Sequence, residues 1–206
     1  DSAMLAVHAA IAAQANGDIQ LHCFHIHHGL QDVADEWTRH AHRLARGLGL
    51  ACHSLRVNVA GASRKGMEAA ARDARYAGLK QLASFTGISH ILLAHHRDDQ
   101  TETILMRLLR GTGPTGLAAM ATVSQRDGLH YLRPWLEIER AHILASAQEY
   151  AAQSGWQPVD DPTNLDDIYT RAAVRRRLVP VLNERWPAWR SILLRHARQA
   201  RELAAL

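Results

Sequence analysis

Leu93-Ala94-His95-His96-Arg97-Asp98-Asp99-Gln100-Thr101-Glu102-Thr103-Ile104-Leu105-Met106-Arg107-Leu108-Leu109-Arg110-Gly111-Thr112-Gly113 is the stretch from which the fold reads outward. The apolar run over residues 90–94 has the pattern of a short buried strand. Beyond Asp98, the residues Ile104, Leu105, Leu108 and Leu109 recur at helical spacing, and Gly111 and Gly113 end the run. A strand thus gives way to a helix. At the junction stand two histidines, three carboxylates, an amide and a hydroxyl. In an open α/β sheet, ligands bind just outside the carboxyl ends of the strands. Core packing calls for none of His95, His96, Asp98, Asp99 and Glu102, so the cluster is expected to be a site.

The alternation continues on the N-terminal side. Residues 3–15 read as an alanine-rich helix, 19–26 as a strand, 36–48 as a helix, 51–59 as a strand and 67–85 as a helix. In the last of these, Ala70, Ala74, Leu79 and Leu82 can face a sheet. This order implies an α/β fold with a doubly wound parallel sheet covered on both faces. Past Gly113 the pattern changes. A polar turn is expected around residues 125–128, a short strand over 130–132 and a helix over 138–153. An irregular stretch over 154–167 precedes two arginine-rich helices over 169–182 and 188–203. The expected division is a nucleotide-binding α/β domain over 1–135 and a small helical, arginine-rich extension over 136–206.

The totals agree with a soluble globular chain: 206 residues, 47% hydrophobic and 21% charged. No apolar run reaches the roughly 18 residues of a membrane span, and no signal peptide is visible, so a cytoplasmic location and no membrane partner are expected. Cys23 and Cys52 each lie in an expected strand, outside any Cys-x-x-Cys pair, and read as buried thiols. The net charge is +4. The excess gathers at the end: Arg171, Arg175, Arg176, Arg177, Arg185, Arg190, Arg195, Arg198 and Arg201 face only Glu184 and Glu202. Such an end suits a polyanion such as RNA, and a solvated helix face is an equal alternative. The sequence leaves room for a homodimer without requiring one.

Asp99 and Glu102 are three apart, on one face of a helix. Two carboxylates at that spacing can hold an ammonium group or share a metal. Asp98 sits at the helix mouth, where the dipole favours an anion. A phosphate at the same mouth would need a cation between it and the carboxylates, which implies Mg²⁺ or a cationic substrate. His95 and His96 are candidates for phosphate donors, general acids or metal ligands. His25, His27, His28 and Gly29 also follow a strand. The three histidines leave it on alternating faces, so a zinc site there needs a sharp turn. Glu68 and Arg72 can pair at i, i+4, or Arg72 and Arg75 can present guanidinium groups to phosphate. Asp160-Asp161-Pro162-Thr163-Asn164 reads as a loop that caps the following helix, with Arg171 and Arg175 beyond it.

Taken together, several motifs resemble the N-type ATP pyrophosphatase family, whose members share a PP-loop. They are His27-His28-Gly29-Leu30, Glu68-x-x-x-Arg72-x-x-Arg75-Tyr76, residues 94–103, Leu109-Arg110-Gly111-Thr112-Gly113, Gly116-Leu117, Arg133-Pro134 and Asp161-Pro162-Thr163-Asn164. Within that family, the resemblance is to the members that form lysidine. It implies that ATP adenylates the C2 oxygen of the wobble cytidine in an isoleucine tRNA with a CAU anticodon. The amine of L-lysine then displaces AMP. It implies catalytic roles for His95, Asp98 and Asp99, and lysine binding by Asp99 and Glu102. ATP would be held by Asp1, Ser2, His27, Gly29, Arg72, His95, Arg110 and Gly111. RNA would meet Arg133, Arg171, Arg175 and Arg176, and Asp98 would hold Mg²⁺. The family's PP-loop reads Ser-Gly-Gly-x-Asp-Ser, and Asp1-Ser2 matches only its end, so a strand and a glycine turn are expected before Asp1. Gln31 replaces a usual arginine, and Ala172-Ala173-Val174 replaces an asparagine-containing helix start. The alternatives are another PP-loop tRNA modifier, such as a cytidine thiolase, and an inactive tRNA-binding fragment.

Overall fold

The computed structural model describes residues 1–29, 34–58, 66–159 and 170–204, with Met67 and Glu68 described by backbone alone. The expectations for Leu30, Gln31, the Glu68 side chain and residues 160–164 lie outside the described residues. The chain forms two compact units. The first comprises Asp1–Leu93, Gln125–Leu132 and Ala145–Val159; the second comprises Ala94–Ser124, Arg133–Leu144 and Asp160–Leu206.

In the first unit, helix α1 (Ser2–Asn16) precedes strand β1 (His22–His27), helix α2 (Ala34–Gly47), strand β2 (Ala51–Arg56), helix α3 (Met67–Thr86) and strand β3 (His90–Leu92). β1 and β2 pair in parallel, with Cys23 opposite Cys52 and Ile26 opposite Leu55. Successive side chains of a strand point to opposite faces. Ser54 accepts or donates a 2.7 Å hydrogen bond with His42 of α2. On the other face, Gly78 of α3 lies so near the sheet that a Cβ would meet Ile26 Cδ1 at 2.9 Å. α2 and α3 therefore cover opposite faces, as a doubly wound arrangement requires.

β3 pairs in parallel with β5 (Leu129–Leu132), and β4 (Val123–Arg126) lies on the far side of β5. The core forms where Leu79 and Ala83 of α3 meet Ile91, Leu129 and Tyr131, with Phe24, Ile26, Tyr76 and Leu93 packed around them. Fully burying side chains of this kind contributes about 1.5–3 kcal/mol each. The Tyr131 ring meets Tyr76 edge-on, with centroids 5.0 Å apart.

Two details differ from the expected pattern. The described strands form two hydrogen-bonded sheets, β1-β2 and β3-β5-β4, which share α3 as a cover. The expected polar turn over 125–128 is in fact the end of β4 followed by a two-residue hairpin turn, Asp127-Gly128, with φ of 53° and 81°. That turn twists with its strands. The Val123-Ser124-Gln125-Arg126 strand is mostly exposed, so no buried alternation marks it.

The second unit is helical. α4 (Arg97–Leu109) buries Gln100, Thr101, Glu102, Ile104 and Met106. α5 (Pro114–Leu117) and α9 (Trp189–Leu203) pack on it. α6 (Arg140–Ser154) begins here and continues into the first unit. The expected helix over 169–182 is broken. It runs as α7 (Thr170–Ala173), a π turn (Val174–Leu178) and α8 (Val179–Arg185). Pro180 has no N–H to donate to the carbonyl four residues back, which accounts for the interrupted helical ladder.

Candidate active site

The mouth of α4 is built by a reciprocal cap. The Asp99 amide donates to His96 Nδ1 (3.3 Å), and the His96 amide donates to Asp99 Oδ2 (3.1 Å). His96 is 1% exposed. Burial lowers its pKa, although Asp99, Asp98 and Glu102 oppose that shift. Its Nε2 lies 3.3 Å from Asp99 Oδ2, a contact that favours the cation. The neutral form nevertheless explains the cap, because Nδ1 must be unprotonated to accept. His96 is therefore a structural cap, and His95, half-buried beside it, keeps the catalytic expectation.

Two polar side chains of α4, Gln100 and Arg107, are satisfied by the segment after it. Gln100 exchanges two hydrogen bonds with the Met120 backbone, at 2.8 and 3.0 Å. Arg107 donates to the carbonyls of Gly116 (2.6 Å) and Ala119 (3.2 Å). Gly116 allows this closure: a Cβ there would lie 1.8 Å from Thr112 Oγ1.

All three carboxylates of the cluster are engaged by arginines from the C-terminal helices. Glu102, with its side chain 4% exposed, is held bidentately by Arg175, Nε to Oε1 at 2.8 Å and Nη2 to Oε2 at 2.9 Å. These hydrogen bonds raise the pKa of the Arg175 guanidinium, against the opposing effect of its burial. Asp99 Oδ1 accepts from Arg171 Nη1 at 3.2 Å, and Arg171 Nη2 also donates to Thr103 Oγ1 at 3.1 Å. Asp98 Oδ1 lies 3.6 Å from Arg190 Nε. Arg171 and Arg175 were expected on RNA phosphate; here their guanidinium groups lie on carboxylates. The sequence carries no local signal for these pairs, because the partners are far apart along the chain and the π turn resets the phase that brings Arg175 round to Glu102.

Other expected residues are redistributed as well. Arg133 is 7% exposed and donates to the Ala121 carbonyl (3.0 Å) and Ser124 Oγ (2.9 Å), so it fastens a loop instead of presenting a surface to RNA. Arg110 and Gly111 are exposed at the far end of α4. A helix of that length is about 20 Å long, which separates them from His95 and Asp98. Arg176 is exposed on the π turn.

In the first unit, both nitrogens of buried His27 are used. Nε2 bonds Asp35 (2.8 Å) and Nδ1 accepts from the Gly29 amide (3.1 Å). His27 thus fixes the turn after β1, where Gly29 has φ of 66°. Burial, then the charge of Arg75, lowers the pKa of the next residue, His28. Arg75, half-buried, is the arginine of α3 beside this turn, whereas Arg72 is exposed. At Asp1 no side-chain cap bond closes the start of α1, so its first amides, Ser2 included, lack intrahelical partners. Burial raises the pKa of the Cys23 thiol and pushes that of Cys52 up to about 11, and both stay protonated at neutral pH. Among the described residues, no three His, Cys, Asp or Glu side chains converge as a metal site, and no helix is long and apolar enough to cross a membrane.

Three carboxylates thus gather in the first two turns of α4. A family profile of the PP-loop domain matches residues 1–182, and the chain belongs to that family. It is similar to tRNA(Ile)-lysidine synthase of Bordetella bronchiseptica, 55% identical over 206 residues, all of this chain and 59% of the relative. The same-named protein of Ralstonia nicotianae is 43% identical, over all of this chain and 44% of the relative. That of Vibrio cholerae is 42% identical, over 88% and 40%. The chain thus spans well under two-thirds of the length of these relatives. Among solved structures, it resembles the U34-tRNA thiolase NcsA from Methanococcus maripaludis with its 4Fe–4S cluster. The TM-score is 0.68 at 12% identity, covering 96% of this chain and 68% of that one. That likeness concerns the fold.

Proposed function

We propose that this chain contributes the catalytic domain for ATP-dependent ligation of L-lysine to the wobble cytidine of an isoleucine tRNA with a CAU anticodon. The observation that carries the reading is the acid cluster at the mouth of α4, in a chain 55% identical throughout to a tRNA(Ile)-lysidine synthase. In the first step, the C2 oxygen of cytidine attacks the α-phosphorus of ATP, and pyrophosphate leaves. In the second, the side-chain amine of lysine, having lost a proton, attacks C2 and AMP leaves. The amine arrives as an ammonium ion, which a carboxylate must hold.

Of the two carboxylates expected to do so, Asp99 is the better placed. It is more exposed than Glu102, 14% against 4%, and Arg175 takes both Glu102 oxygens. Glu102 then acts by holding the π turn. Asp1 and Ser2, at the start of α1, match the end of the family's PP-loop and are assigned to phosphate. His95 and Asp98 are assigned to the nucleotide side. Mg²⁺ is commonly held by one or two carboxylates together with substrate phosphates. Asp98, 29% exposed, fits as one such ligand, and the ion would neutralise phosphate charge. Arg176, exposed on the π turn, is a candidate for RNA phosphate. The place of action would be the cytoplasm.

The test is release of AMP and pyrophosphate from ATP by the full-length protein, with and without lysine and with isoleucine or methionine tRNA. Asp99→Asn should lower lysine use by at least about tenfold, while ATP binding changes little. Equal losses in both would remove Asp99 from the amine site.

A further inference from the structure

The acid cluster is charge-balanced as it stands. Asp98, Asp99 and Glu102 are matched by Arg190, Arg171 and Arg175. Adding a cationic amine to a balanced, partly buried cluster leaves one positive charge without a partner, and that costs free energy. One arginine must therefore give way. The three are not equally held. Arg175 makes two short hydrogen bonds to a carboxylate 4% exposed. Arg190 lies 3.6 Å from Asp98, at the end of the cluster assigned to the nucleotide. Arg171 makes a single 3.2 Å hydrogen bond to a carboxylate, at Asp99 Oδ1, is 33% exposed, and is otherwise held by the neutral hydroxyl of Thr103 and a longer 3.9 Å approach to Glu102 Oε2. The other Asp99 oxygen is committed to the helix cap.

Resting on the reading of Asp99 as the amine carboxylate, we infer that Arg171 is a placeholder in the amine subsite. Its guanidinium occupies Asp99 Oδ1 when no substrate is bound, and the lysine ammonium competes with it for that oxygen. Arg171 thereby sets the affinity for the amine without touching the reacting atoms. Arg175 has the opposite character: it anchors the π turn that directly follows the short helix bearing Arg171, and its loss weakens the site. Thr103 is the second hand on Arg171. Removing its hydroxyl weakens the placeholder while both charges stay in place.

The experiment is calorimetric titration of L-lysine into the full-length protein, as wild type, Arg171→Gln, Thr103→Val and Asp99→Asn, with L-norleucine as the ligand that lacks only the side-chain ammonium group. A charge-assisted hydrogen bond to a carboxylate only 14% exposed supports a change on the order of tenfold. Arg171→Gln is expected to bind lysine about tenfold tighter, and Thr103→Val a few-fold tighter, with norleucine binding unchanged in both. Circular dichroism of each variant separates a binding change from loss of fold. Unchanged or weaker lysine binding in a folded Arg171→Gln protein, or in Thr103→Val should Arg171→Gln not fold, overturns the placeholder. Equal gains for lysine and norleucine would also overturn it, since they would reflect space and not charge. If Asp99→Asn binds lysine as the wild type does, the amine-site reading itself fails, an outcome distinct from failure of the placeholder alone.

Discussion

Replacing Arg175 by Met should be among the most destabilising changes in the second unit. The substitution keeps much of the side-chain volume and removes the bidentate partner of Glu102. The carboxylate left behind is 4% exposed and would have lost both hydrogen bonds, at 2.8 and 2.9 Å. Breaking a fully buried ion pair on one side costs roughly 3–5 kcal/mol. Because Arg175 is itself 30% exposed, water can enter beside it, and the lower end, about 3 kcal/mol, is the reasoned figure. In a protein of this size that is a fall of about 6–12 °C in Tm. Glu102→Gln keeps an acceptor for the guanidinium and should cost less, about 1–2 kcal/mol. With both replaced, no buried charge remains unpaired, so the double variant should be more stable than the sum of the two losses implies, with a coupling of at least about 1 kcal/mol. The assay is denaturant unfolding of the four proteins at one pH. Single losses below about 0.5 kcal/mol that simply add would refute the claim that this pair organises the π turn.

The cap on α4 should titrate. Burial depresses the pKa of His96 in the folded protein, so its contribution is present above the unfolded value near 6.5 and lost as pH falls from there through the folded value. Asn is also a good cap but does not titrate; the stability advantage of wild type over His96→Asn should therefore shrink as pH is lowered below about 6.5, and an advantage that stays flat or grows would contradict a neutral His96. Arg133→Met should lose about 1–3 kcal/mol of unfolding free energy through the stranded Ala121 carbonyl and Ser124 hydroxyl, which chemical denaturation would detect; a stable variant with weakened RNA binding would return Arg133 to the RNA surface. Arg176→Ala should reduce the slope of log affinity for tRNA against log salt by about one, and an unchanged slope would exclude a phosphate contact.

Much of the first unit could be read in advance because each helix and strand carries its own period. The apolar positions of α3 repeat at helical spacing and do meet the sheet. The strand-to-helix junction at His95–Asp99 is likewise visible, since polar residues interrupt an otherwise apolar pattern. What stayed hidden depends on pairing across the chain. Nothing near Asp99 or Glu102 announces Arg171 or Arg175, and nothing near Asp98 announces Arg190. Arg133 looked like a surface cation because arginine usually is one, whereas here it satisfies a loop's backbone. His27 looked like a ligand contact because it follows a strand, yet Asp35 and the Gly29 amide use both its nitrogens. Pro180 was in plain view, but its effect on the phase of the arginine-bearing helix needed the fold to show.

The most direct test of the central claim is transfer of labelled L-lysine to isoleucine tRNA bearing a CAU anticodon, catalysed by the full-length protein with ATP and coupled to AMP and pyrophosphate release. The account predicts one lysine incorporated per AMP formed, strict dependence on the wobble cytidine, and loss of incorporation in Asp99→Asn. Pyrophosphate release that ignores lysine, or sulfur incorporated in place of lysine, would contradict it.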